Sequence, residues 1–170
     1  MDWCWYLPPI SQESECLVKL NNMQNLNTFL KISAALWIIW GLVHMFAGVM
    51  TLSGVFGGDL SVPIAGIADA VNVDTLKMDY PEALGGILSQ HGFNLFWFGL
   101  ITTLAAPYIW KGNANAVYLA AIVGGLADLG YFLFIDLGGF NNFVPGTVMT
   151  LISASAIVLS IYAISTAKKA

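Results

Sequence analysis

Four stretches of this chain, residues 30–56, 81–110, 114–137 and 143–165, carry almost no formal charge. Each is at least as long as the roughly 20 apolar residues that a helix needs to cross the hydrocarbon core of a bilayer. Lys31 is the only formal charge in the first stretch. A soluble fold needs a charged exterior, about 25 % of residues in an ordinary globular domain. Here charged residues make up 9 % and hydrophobic residues 58 %. Lipid tails accept an apolar exterior, so the pattern predicts an all-α fold, an integral membrane four-helix bundle.

The segments between the stretches support that division. Gly57-Gly58 ends the first. Residues 59–79 then form a long loop carrying Asp59, Asp69, Asp74 and Asp79 against one Lys77, with a mildly apolar middle suited to a short interfacial helix. Asp79-Tyr80-Pro81-Glu82 resembles a helix start, with a capping box and a proline in the first turn. The helix that follows is about 30 residues, or about 45 Å, so it must tilt, project or break, with Gly85-Gly86 and Gly92 as weak points. Lys111-Gly112-Asn113 and residues 138–142 are turns. Residues 1–28, with Pro8-Pro9, Cys4 and Cys16, read as a polar, poorly ordered tail ahead of a membrane domain at 29–170. They lack the pattern of a signal peptide. Met23 is an alternative start to Met1.

Orientation follows from the lysines. Lys19, Lys31, Lys111, Lys168 and Lys169 fall on one side of a four-span layout, and Lys77 falls on the other. The positive-inside rule then puts both termini in the cytoplasm and the acidic loop between helices 1 and 2 outside, in a bacterial inner membrane. Nucleic acid is excluded as a partner, because the net charge is −4 and there is no arginine to supply a basic footprint. The expected partner is the lipid bilayer, together with further copies of the chain or a larger membrane complex.

The chemistry concentrates in the spans. His44, His91 and Asp128 each lie roughly 15–20 Å below the outer end of their helix. His44 shares a face with Trp40, Gly41, Ala47, Gly48 and Thr51, and Asp128 shares one with Gly124, Gly125 and Tyr131. Small residues let helices approach, so both groups point inward. Asn94 lies one turn from His91. Thr150, Ser153 and Ser160 form a hydroxyl stripe on the last span, with Ser153 at comparable depth. An ionisable group at that depth needs a partner, and the two histidines are the natural ones for Asp128. Asp136, nearer the outer end, reads as solvated among head groups.

Four readings follow. The polar groups fix helix packing; or His44, His91, Asn94, Asp128, Tyr131 and Ser153 line a small-ligand pocket, with Asp128 active in proton-coupled transport. Alternatively His44, His91 and Asp128 hold a non-haem metal, or the histidines hold haem, in a redox protein. Catalysis is the weakest reading, since no hydrolase, metalloprotease or nucleotide-binding motif is present. The leading expectation is a small, non-enzymatic polytopic protein, an accessory subunit or ligand-binding bundle. In length and topology it resembles small four-span bacterial membrane proteins such as the DoxX-like group, a likeness that carries over no functional residue.

Overall fold

The computed structural model describes residues 9–167, with side chains from residue 23 onward except Pro145. Cys4 and the closing Lys168-Lys169 lie outside the described residues.

The described chain is all-α. Helix α1 spans Pro9–Phe56, α2 Ser61–Ile67, α3 Glu82–Trp110, α4 Ala114–Tyr131 and α5 Val148–Ala167, with a single 3-10 turn at Val73–Leu76. Four helices are long and apolar enough to cross a membrane: Met23–Phe56, Glu82–Trp110, Ala114–Asp136 and Val148–Ala167. The stretch 9–28, assigned by sequence to a tail, continues the first helix. Pro9 occupies its first position, where a missing N–H costs nothing, and neither glycine nor proline follows until Gly41.

Other boundaries differ for local reasons. The capping box at Asp79 does not form: Pro81 stands at the helix start with no side-chain cap, and Leu84 N–H donates to the Pro81 carbonyl at 2.9 Å. Nor does α3 break at its glycines; it runs unbroken from Glu82 to Trp110. The third span ends in a wide turn, in which Leu137 N–H donates to the Phe132 carbonyl at 3.0 Å. The last regular helix starts at Val148 rather than at residue 143. Val144 is extended (φ −117°, ψ 128°), as expected of a residue before proline.

The four long helices form a ring. α1 packs chiefly on α3 and also on α5, while α4 closes the ring between α3 and α5. The α1–α3 seam is antiparallel and built on paired glycines. A Cβ on Gly48 would lie 2.5 Å from the Gly92 carbonyl oxygen, and one on Gly41 would lie 2.6 Å from that of Gly99. Both pairs step by the same seven-residue interval along the sequence, so the two backbones meet twice on one face. Across the ring, the Trp37 ring lies directly over Gly124 of α4.

The core is narrow and the exterior apolar. Trp37, Trp40, Ala106, Ile109, Val117 and Ala120 are buried completely. Phe46, Leu104, Leu126, Phe134 and Val158 stand exposed around the outside. Such continuous apolar surface marks a membrane or protein contact rather than a water-facing exterior.

Candidate functional site

Asp128 lies on the inner face of α4, 4 % exposed. Its Oδ2 accepts a hydrogen bond from the Trp40 indole Nε1 at 2.7 Å. Its Oδ1 lies 3.7 Å from His44 Nε2. His44 is four residues beyond Trp40 on α1, one helical turn along, and its ring stacks on the indole with centroids 3.6 Å apart and planes inclined by 20°. His44 Nδ1 is 2.9 Å from the Trp40 backbone carbonyl. A carbonyl only accepts, so Nδ1 carries a proton and Nε2 is the nitrogen that faces the carboxyl. With one proton between Nε2 and Oδ1 the pair is neutral as a unit, whichever atom holds it.

This cluster opens on a cavity of ≈ 480 Å³. Its walls come from every long helix and from α2: Val43, Phe46 and Met50 on α1, Val62 and Ile67 on α2, His91 and Leu95 on α3, Asp128 and Tyr131 on α4, and Met149 on α5. The polar groups are few and the rest of the lining is hydrocarbon. A pocket of this size and composition falls in the range of small-molecule sites.

The structure gathers some of the sequence-selected residues and leaves others apart. His44 and Asp128 meet, and His91 and Tyr131 line the same cavity. Ser153 is buried beside the Asp128 carboxyl, while its hydroxyl donates to the Thr150 carbonyl at 3.0 Å. Asn94 is not part of the cavity wall; it accepts from the Trp97 indole on its own helix at 3.1 Å. Among the described residues, no group of three His, Cys, Asp or Glu side chains is placed to hold a metal ion. Ser160 of the hydroxyl stripe satisfies itself on the Ala156 carbonyl at 2.7 Å. The same carbonyl accepts from Ser33 of α1 at 2.8 Å, an interhelical bond with no sequence signal.

Trp40 was missed as a site residue, although its i, i+4 spacing from His44 pointed to it. The acidic loop, expected from the sequence to cover such a pocket, supplies Val62, Pro63, Gly66 and Ile67 to the cavity wall. α2 and the residues just after it are tied to α4 and the α4–α5 turn by hydrogen bonds. Asn142 N–H donates to Asp69 Oδ1 at 2.6 Å, Ala70 N–H donates to the Phe140 carbonyl at 3.1 Å, and the Tyr131 hydroxyl donates to the Ile67 carbonyl at 3.3 Å. Asp136 is not simply solvated. It accepts from Asn141 Nδ2 at 2.6 Å and Thr147 Oγ1 at 3.0 Å, and its second oxygen is buried without a partner.

Compared with protein-family models, curated proteins and solved structures, the chain matches none.

Proposed function

We propose that the chain is a multi-pass membrane protein whose bundle interior holds a small, largely apolar ligand, with His44, His91 and Asp128 meeting its polar end. The cavity carries the reading: one largely apolar space, lined by all four long helices and by α2, with His44, His91 and Asp128 among its few polar lining groups. A plain packing role for the same residues would not need that space. The lysine pattern supports cytoplasmic termini and an outward-facing α2. Lys31 lies over the Trp110 ring at 5.6 Å, an arrangement suited to the inner membrane–water boundary.

Native mass spectrometry of the full chain, extracted in mild detergent, tests the reading. Gly66 lines the cavity, and a Cβ there meets nothing within 4 Å, so Gly66→Leu fills space without crowding a helix contact. Wild type should retain a small molecule that Gly66→Leu and Asp128→Leu lose. All three proteins appearing at the masses of their bare chains would overturn the reading.

A further inference from the structure

We propose that the ligand comes from the bilayer itself: a long-chain amphiphile with a hydroxyl head, passing between Val43, Phe46 and Met50 and setting its hydroxyl against His44 and Asp128. This rests on the reading that the bundle interior holds a ligand, and it names the ligand's class and route.

The route follows from the cavity's edge. Val43, Phe46 and Met50 line the cavity and are 39 %, 66 % and 49 % exposed. Their spacing places them along one edge of the helix. Phe46 stands 15 residues beyond Lys31, about 22 Å along the axis, and ten before Phe56, about 15 Å. That is mid-depth in a hydrocarbon core of about 30 Å. An entry there, past three large apolar side chains, would meet acyl chains rather than water.

The head group follows from the cavity's polar lining. No lysine lines the cavity, so a phosphate or carboxylate head would meet Asp128 with no cationic side chain of fixed charge to offset it. A cationic head would compete with the Trp40 indole N–H that already holds the carboxyl. A neutral head meets neither obstacle. Between His44 Nε2 and Asp128 Oδ1 lie 3.7 Å, too long for a direct hydrogen bond. The Nδ1 proton is committed to the Trp40 carbonyl, and in the neutral pair Nε2 and Oδ1 present one proton and several lone pairs between them. The group that complements both is one that donates and accepts at once, as a hydroxyl does. An ether or a hydrocarbon end does not. A cavity of ≈ 480 Å³ takes the head and part of a chain, and the remainder trails through the opening into lipid.

Three photoreactive probes of equal length test this in phosphatidylcholine nanodiscs holding the full chain: a diazirine-bearing hexadecanol, its methyl ether and the corresponding alkane. After illumination, peptides covering residues 43–50 and 62–67 are quantified by mass spectrometry. The alcohol should label them at least tenfold more than the ether or alkane, and unlabelled hexadecanol should compete where hexadecane does not. Gly66→Leu and, as a second cavity-filling variant, Ala47→Phe should each remove most of the labelling. His44→Phe keeps a ring on Trp40 and deletes both nitrogens, so it should erase the preference for alcohol over ether. Equal labelling by the three probes, or labelling indifferent to both filling variants, overturns the proposal. A water-soluble molecule retained by wild type and lost in Gly66→Leu, with no labelling by hexadecanol, overturns it while leaving the ligand-holding reading intact. If neither experiment finds a cavity-dependent occupant, both fail.

Discussion

A carboxyl group deep in an apolar bundle costs a few kcal/mol or more unless its neighbours compensate. Around Asp128 that compensation comes from the Trp40 indole and the His44 imidazole. Trp40→Phe should therefore destabilise the protein by about 1–3 kcal/mol, the usual penalty for stranding a buried acceptor. The check is thermal unfolding in detergent followed by size exclusion. Asp128→Leu should cost much less in the Trp40→Phe background than in wild type, and the coupling read from the double-mutant cycle should reach about 0.5–3 kcal/mol. Strict additivity would show that the hydrogen bond does not matter. The matching level of His44 and Asp128 along their helices was legible by counting residues, because rise per residue is fixed. Trp40's part was not, since an aromatic in a membrane span usually faces lipid or packing. Nor was the fate of Asn94, whose partner is its own helix neighbour Trp97.

The α1–α3 seam sets what the helices tolerate. A Cβ on Gly48 meets backbone atoms on both sides, the Gly92 carbonyl oxygen at 2.5 Å and Phe96 N at 2.7 Å, and backbone cannot swing away. Gly48→Ala should lower the unfolding temperature markedly. Gly130→Ala on α4 meets nothing within 4 Å and should be neutral or stabilising by up to about 1 kcal/mol, the helix-propensity gain. Similar losses for the two variants would contradict the close seam. The α2 roof makes a second case. Asp69→Ala removes the acceptor for Asn142 N–H, so hydrogen exchange at the Asn142 and Ala70 amides should rise while that of α1 and α3 stays unchanged. The four long elements were legible as apolar runs with short breaks. Their ends were less so: the capping signal at Asp79 was overridden by Pro81, and Val144 was held extended by Pro145.

At the level of the whole molecule, the ring of four helices leaves its outer surface apolar and its interior partly hollow. The lysine distribution predicts that Asn113 and the 3-10 turn at Val73–Leu76 lie on opposite sides of a membrane. In a background of Cys4→Ser and Cys16→Ser, Thr75→Cys should react with an impermeant maleimide added outside intact cells. Asn113→Cys should react only after permeabilisation, and the reverse pattern would invert the topology. Helix number and order could be read in advance because each span is a local property of composition. The cavity could not, because it depends on gaps between side chains from five segments that meet only after folding.

The imidazole lying flat on the Trp40 indole at 3.6 Å has an optical consequence. An excited indole loses emission readily to a neighbouring cation, so whatever changes the electrical state or hydration of His44 is written into Trp40 fluorescence. The protein thus carries its own gauge of occupancy. His44→Phe supplies the blank against which the light from the other five of its six tryptophans can be subtracted.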